Sequence, residues 1–362
     1  MMLQAVVMAG GRGERLQPLT ARRPKPLVPF FGLPLLGYLL GHLARLGVGE
    51  AFVTAGYLGH QIAGFVQSGD FGLPVHCTLE ERPRGTAGAV LDLLPQLESR
   101  FLVVSGDALM DLDLPALSAC HEADGNVATI CLAPPGERLR FGSVTCRDRR
   151  VTGFREKPEI AELLPGSGVN AGCYLLERDA LAGLDPERPL DFAKDVLPAL
   201  LNRGAPLGAV PSMRYWRDLG TLDAYRDAHF DGLGQKLPVG WMPRGLRIDA
   251  DAPGGPVALG PGVEIARDAH IEGPALLGPG CRLAPGARVT RSLLLGECRI
   301  GAGSWVTDCV LDGGTVVPPH RRVVGAGLAG GRQPLRLRRQ PARTPQAAPA
   351  PLPDLAVAAP HP

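Results

Sequence analysis

From Pro253 onward the chain repeats itself every six residues, and few architectures tolerate that period. Val257, Val263, Ala269, Ala275, Cys281, Ala287 and Leu293 hold one position of the repeat. Leu259, Ile265, Ile271, Leu277, Leu283, Val289 and Leu295 hold the position two residues later. Gly260-Pro261-Gly262, Gly278-Pro279-Gly280 and Pro285-Gly286 supply turns between them. One small or branched residue per flat side, followed by a turn, is the pattern of a β-helix with roughly eighteen residues per coil. A Gly/Pro-rich linker would not keep register over seven repeats. After Leu295 the register slips and resumes weakly through Ile300, Val306 and Thr315–Val317. The pattern predicts a short β-helix over 253–324, about three or four coils by that repeat length. Its apolar ridges suit packing against another subunit or the preceding domain, so a homo-oligomer is expected. Residues 325–362 are rich in Ala, Pro and Arg with no period and are expected to be a disordered, solvated tail.

The first two thirds alternate two kinds of segment. Leu3–Met8, Ala51–Ala55, Val75–Leu79 and Phe101–Val104 are short β-rich runs, and Leu35–Leu46, His60–Val66 and Thr86–Leu94 carry helical spacing. Such alternation predicts an α/β domain over 1–235 with a doubly wound, mostly parallel sheet, joined to the β-helix by a linker at 236–252. Ligands bind at the carboxyl ends of strands in these sheets, where Gly10–Gly13 and Asp107 fall. Beyond Val127 the pattern is richer in strands, and helical stretches return at Phe192–Asn202 and Leu222–Leu233. That stretch reads as an insertion covering the open face of the first half.

A net charge of +2 argues against a nucleic-acid partner. No window of ~18 uncharged apolar residues occurs, and no basic-then-apolar leader opens the chain, so a cytoplasmic protein with no membrane partner is expected. The eight cysteines are scattered without a C-x-x-C pair, which points to structural burial rather than zinc or redox work. Of 38 basic residues only Lys25, Lys157, Lys194 and Lys236 are lysines. A lysine is a compact, mobile point charge where arginine is a planar fork, so lysines inside motifs are informative.

The first motif reads MAGGRGERLQPLTARRPKP over residues 8–26, directly after a strand. A glycine-rich turn there lets backbone amides approach an anion, often a phosphate. It is not a P-loop, because no lysine follows the glycines until Lys25. It is not a dinucleotide fingerprint either, because Leu16 occupies the third glycine position.

What remains, G-G-x-G-x-R-L-x-P-L-T followed by P-K-P-L-V-P and G-x-P-L, resembles the signature of the sugar-1-phosphate nucleotidyltransferases. The resemblance continues through Arg84-Gly85-Thr86-Ala87-Gly88, Ser105-Gly106-Asp107, Phe141-Gly142-Ser143-Val144, Phe154-Arg155-Glu156-Lys157-Pro158, Asn170-Ala171-Gly172 and Tyr215–Thr221. These lie in the family's order over residues 3–229, and a β-helix tail is common in the family. The run 105–114, the segment 190–198 and the stretch 215–229 look most like bacterial mannose-1-phosphate guanylyltransferases. Glucose-1-phosphate thymidylyl- and uridylyltransferases stand second.

The resemblance implies a Rossmann-like domain in which a sugar-1-phosphate oxygen attacks the α-phosphorus of a nucleoside triphosphate and pyrophosphate leaves. It implies Gly10, Gly11 and Gly13 around the triphosphate, with Gly85 and Thr86 near the nucleoside. Arg15 and Lys25 would offset phosphate charge as catalytic cations. Gly142, Glu156, Lys157 and Asn170 would hold the sugar phosphate, and Asp107 and Asp218 would hold Mg2+. Glu14 departs from the threonine of many members. A carboxylate beside a triphosphate repels it unless paired or turned away, so Glu14 is expected either to buttress Arg12 or Arg15 or to face solvent.

Overall fold

The computed structural model describes residues 2–133, 142–155, 167–185, 187–238, 241, 245–325 and 327–328. Among the described residues, thirteen strands and six α-helices build the first domain. The strands are β1 (Gln4–Met8), β2 (Pro29–Phe30), β3 (Leu33–Pro34), β4 (Glu50–Ala55), β5 (Val75–Leu79), β6 (Arg100–Ser105) and β7 (Ala108–Leu112). They continue with β8 (Ala128–Ala133), β9 (Ser143–Arg147), β10 (Arg150–Arg155), β11 (Ser167–Glu177), β12 (Leu207–Val210) and β13 (Met213–Asp218). The helices are α1 (Leu35–Arg45), α2 (Gly59–Ser68), α3 (Gly85–Leu91), α4 (Leu114–Ala123), α5 (Leu197–Asn202) and α6 (Leu222–Leu233).

Nine strands form one sheet in the order β5-β4-β1-β6-β11-β8-β12-β10-β9. Its first four strands are parallel, as the alternation of strands and helices predicts. β11 then runs antiparallel between β6 and β8, so the sheet is mixed rather than mostly parallel. The strand-rich stretch beyond Val127 is also not a cover over the open face. Its described strands extend the same sheet sideways. Side-chain alternation splits the core: Ala5, Val7, Leu102 and Val104 face α1 and α2, whereas Val6, Phe101 and Val103 face α3 and α5. α1 buries Leu35, Leu36, Leu39, Leu40 and Leu43, an apolar stripe at helical spacing. Thr221 caps α6 by accepting the Ala224 amide at 3.2 Å.

The β-helix follows as three ladders of parallel strands. On one side β-strand Arg247–Asp249 closes the first edge by antiparallel pairing with Val257–Leu259. The first coil advances eighteen residues, pairing Val257 with Ala275. The next advances seventeen, pairing Leu276 with Leu293 and Leu277 with Leu294. The expected alignment of Leu293 with Ala275 is therefore off by one, and the slip precedes Leu293 instead of following Leu295. Gly273-Pro274 in the first coil gives way to the single left-handed residue Arg291 (φ 47°) in the second. Hydrophobicity alone hid the shift, because both neighbours are buried: Leu294 points into the coil and Leu293 packs against the first domain. The last strand, Gly327–Leu328, pairs with Val310–Leu311 and lies past the boundary expected at 324.

One flat side of the β-helix is covered by the first domain. Ala258, Leu276, Leu293 and Val310 form a shared core with Leu16, Leu19, Val28, Phe30, Phe31 and Tyr225. Among the described residues, no helix is long and apolar enough to cross a membrane. Six of the eight cysteines are buried, Cys77 and Cys146 are half-buried, and none is disulfide-bonded.

Candidate active site

The ends of β1, β4, β5 and β6 open into a cleft of about 950 Å³. Gly10, Gly11, Gly13, Arg15, Lys25, Gly85, Thr86 and Asp107, all expected from sequence, line it together. Space accounts for two of the glycines, while a Cβ on Gly11 would meet nothing. A Cβ on Gly10 would lie 2.5 Å from Glu80 Oε1, and one on Gly13 would lie 3.0 Å from Lys25 Cβ. Gly13 also adopts φ 61°, the left-handed region, to start the 3-10 turn Glu14–Leu16. Among the described residues, the amides of Gly10, Gly11, Arg12 and Gly13 donate to no protein acceptor. A run of backbone N–H groups without internal partners is suited to an anion.

Lys25 sits in the 3-10 turn Lys25–Leu27, only 5% exposed. Its Nζ donates to Asp107 Oδ2 and to Asp218 Oδ1, each at 2.8 Å. Asp107 follows β6 by two residues, and its Oδ1 accepts the Ser105 hydroxyl at 2.6 Å. Asp218 arrives by another route. β13 pairs antiparallel with β7 so that Asp218 stands opposite Ala108, next to Asp107. Arg15 approaches Asp218 more loosely, at 3.9 Å, with most of its side chain exposed.

Burial alone would lower the Lys25 pKa, but the Asp107 and Asp218 carboxylates outweigh it and hold the pKa above the usual lysine value. Asp107 shows the converse. Burial pushes its pKa up, while the Lys25 charge and hydrogen bonds from Lys25 and Ser105 bring it below the usual carboxylate value. The cluster is thus an ammonium held between carboxylates. Among the described residues no group of three or more His, Cys, Asp or Glu side chains is placed to hold a metal. The Asp107 and Asp218 carboxylates, both on Lys25 at the cleft, nonetheless fit a hard divalent cation, which takes one or two carboxylates plus other oxygen ligands.

The other expected residues divide. Gly142 and Asn170 meet through the Asn170 amide and the Gly142 carbonyl at 3.0 Å, and neither lines the cleft. The Thr86 hydroxyl is engaged structurally, donating to Asp191 Oδ2 at 2.9 Å and accepting the Phe192 amide at 3.0 Å. Glu156 and Lys157 lie outside the described residues. Glu14 is exposed and forms no ion pair among the described residues, so the buttress alternative does not hold, and the acid lines the open cleft beside Gly13 and Arg15.

Glu80 was not legible as a site residue. It follows β5 by one residue, lines the cleft and lies against Gly10. Its Oε2 accepts the Arg84 amide at 3.4 Å, and Oε1 has no donor among the described residues. Burial raises its pKa, the Arg84 amide opposes that rise, and the charge of Asp92 adds to it. The only signal in the sequence is an acid shortly before the R-G-T-A-G run.

Residues 258–335 match the family described as GlmU-like, C-terminal hexapeptide. Mannose-1-phosphate guanylyltransferase of Mycobacterium tuberculosis is 34% identical over 223 residues, 60% of this chain and 61% of that protein. UTP–glucose-1-phosphate uridylyltransferase of Synechocystis is 27% identical over 340 residues, covering 86% of this chain and 87% of that one. HddC of Yersinia pseudotuberculosis, in two crystal structures of which one is complexed with GMP-PN, superimposes with a TM-score of 0.55 at 25% identity, over 64% of this chain and all of that one. The cleft and its cations fall within residues 4–233, the stretch that matches the family described as Nucleotidyl transferase, and the chain belongs to that family.

Proposed function

We propose that the protein transfers a guanylyl group from GTP to a sugar-1-phosphate, mannose-1-phosphate first among candidates, giving a GDP-sugar and pyrophosphate. The observation that carries the reaction type is the run of uncommitted amides from Gly10 to Gly13 facing the Lys25 ammonium. In this reading the amides cradle the triphosphate, and Arg15 and Lys25 offset the charge that builds on the α-phosphate and the departing pyrophosphate. Lys25 spends two of its three N–H donors on Asp107 and Asp218, which leaves one for a phosphate oxygen. No covalent enzyme intermediate is required; the sugar phosphate oxygen forms its bond to the α-phosphorus as the pyrophosphate oxygen leaves. Positioning of two anions in line supplies the catalysis.

Asp107 and Asp218 would hold Mg2+, which when bound screens charge on the phosphate oxygens. Glu80 supports the choice of base. Guanine presents N1–H and N2–H2 side by side, and an ionised carboxylate accepts both. Uracil and thymine offer one N–H between two carbonyl oxygens, which a carboxylate repels. Relatives support the same base: the Mycobacterium protein is named a guanylyltransferase and HddC was solved with GMP-PN. Sugar-phosphate contacts are assigned to Gly142, Glu156, Lys157 and Asn170 by resemblance.

The test is pyrophosphate release with GTP, UTP, dTTP and ATP against a panel of sugar-1-phosphates. GTP with mannose-1-phosphate is expected to be fastest, and Glu80→Gln to erode the preference for GTP over UTP. A wild-type preference for UTP would overturn the choice of base. No release with any pair would overturn the reaction type.

A further inference from the structure

The loop that carries Lys25 has little structure of its own. Between the two 3-10 turns, residues 17–24 form neither helix nor strand. Inside this stretch the Ala21 amide donates to Pro18 O at 3.1 Å, and Pro24 has no amide to give. Locally, the Leu19 amide donates to Leu16 O at 3.2 Å and the Thr20 hydroxyl to Gly13 O at 2.9 Å; three further tethers come from outside. The Tyr57 hydroxyl donates to Thr20 O at 3.4 Å, and Gln61 on α2 donates to Arg22 O at 3.1 Å. The third tether crosses from the β-helix, where Asp312 Oδ2 accepts the Arg23 guanidinium at 3.1 Å.

Asp312 is well placed to act as a fixed point. It is only 9% exposed, directly after the strand Val310–Leu311. Its Oδ1 accepts the Gly313 amide at 2.9 Å, and its carbonyl accepts the Thr315 hydroxyl at 2.6 Å. The carboxylate is therefore held by its own coil while Oδ2 faces the loop. Leu19 of the loop and Leu16, Val28 and Phe30 on its flanks pack against Leu276, Leu293 and Val310 of the same β-helix face. Arg23 stands two residues before Lys25, with a rigid proline between them.

We propose that the β-helix is a working part of the active site, with Asp312 a positioning residue that acts through Arg23 to hold the Lys25 loop in place. Loss of the tether leaves a largely buried carboxylate without its partner and frees the loop to move Lys25 away from Asp107 and Asp218. An interdomain ion pair that only adds stability would lower the unfolding temperature and leave turnover of the folded enzyme alone. The proposal rests on the nucleotidyltransfer reading for its kinetic test, and on amide exchange for a test that does not.

Asp312→Asn keeps the oxygen that caps Gly313, and Arg23→Gln alters the pair from the loop side. In the full-length protein each is expected to lower kcat about tenfold, with KM for the triphosphate changed less than the turnover. Amide hydrogens of residues 19–28 are expected to exchange faster in both variants, while those of β1, β4 and β6 stay protected. The charge swap Arg23→Asp with Asp312→Arg is expected to recover part of kcat. Unchanged kcat in both single variants overturns the proposal, as does a loss that follows the unfolding midpoint with unchanged exchange at 19–28. If the wild type turns over no substrate pair, the reaction reading fails. In that case, exchange at 19–28 alone upholds or overturns the tether.

Discussion

Lys25 Nζ lies 2.8 Å from Asp107 Oδ2, joining the loop after β1 to the end of β6 across 82 residues of chain. With Asp218 on its other side, the single ammonium offsets part of the repulsion of two carboxylates for each other and for a triphosphate. Lys25→Ala is expected to lower kcat/KM at least a thousandfold, about 4 kcal/mol of transition-state stabilisation. It also removes the ammonium shared by both acids and leaves Asp218 only the looser 3.9 Å approach of Arg15, so thermal unfolding is expected to come earlier. Pyrophosphate release and a melting curve on one preparation check both, and full activity would remove Lys25 from the site.

Asp107→Asn and Asp218→Asn are expected to abolish turnover through a different dependence. A metal held by two carboxylates weakens when either becomes an amide, so each variant should need far more Mg2+ for half-maximal rate. Chelation of the wild type with EDTA should stop release and added Mg2+ restore it. Activity indifferent to chelation would remove the metal from the reading.

Glu14→Thr is expected to keep activity within about tenfold, some 1.4 kcal/mol of barrier. The acid is exposed at the cleft and has no ion pair among the described residues, so its removal releases no buried partner. Complete loss of turnover in this variant would make the acid part of the mechanism.

Gly13→Ala is expected to cost more than its size suggests. The left-handed φ of 61° disfavours any side chain, at about 1 kcal/mol, and the new methyl would press on Lys25 Cβ. Turnover should fall by well over tenfold with only a modest loss of stability. An alanine variant as active as the wild type would show that the loop tolerates displacement.

Acid should destabilise this fold before its carboxylates titrate. His229 Nδ1 donates to Tyr225 O at 2.9 Å, and its Nε2 accepts the Phe31 amide at 3.2 Å. Protonation at Nε2 would set two N–H groups against each other in a fully buried site. Burial pushes the pKa of His229 down to about 4, and burial also takes His42 to about 4. Unfolded histidines near 6.5 bind protons that the folded ones refuse, so stability is full above that value and declines as pH falls toward 4. Each group contributes up to about 3 kcal/mol. The melting temperature should drop between pH 7 and pH 5, and less so in His229→Gln. A flat profile in the wild type would contradict this.

Much of the site was legible because its signals are local. The glycine run, the lysine inside P-K-P and the acid at the end of an apolar strand each announce a chemistry within a few residues. Glu80 announced nothing, since an acid before a turn is ordinary until β5 ends beside Gly10. The bulk of the insertion reading failed for a related reason. Strand-rich sequence specifies strands, and only pairing of β11 with both β6 and β8 makes them extend the central sheet.

By itself the sequence determined the two architectures, the glycine loop after β1 and the six-residue repeat of the first β-helix coil, because helical, strand and hexapeptide periods are written in neighbouring residues. Tertiary structure alone decided that Asp218 reaches Lys25 through the β7–β13 pairing, that Leu293 faces outward while Leu294 faces in, and that Asp312 meets Arg23. Those relations join residues hundreds of positions apart. They depend on which apolar faces bury one another, and a local pattern carries no record of its distant partner.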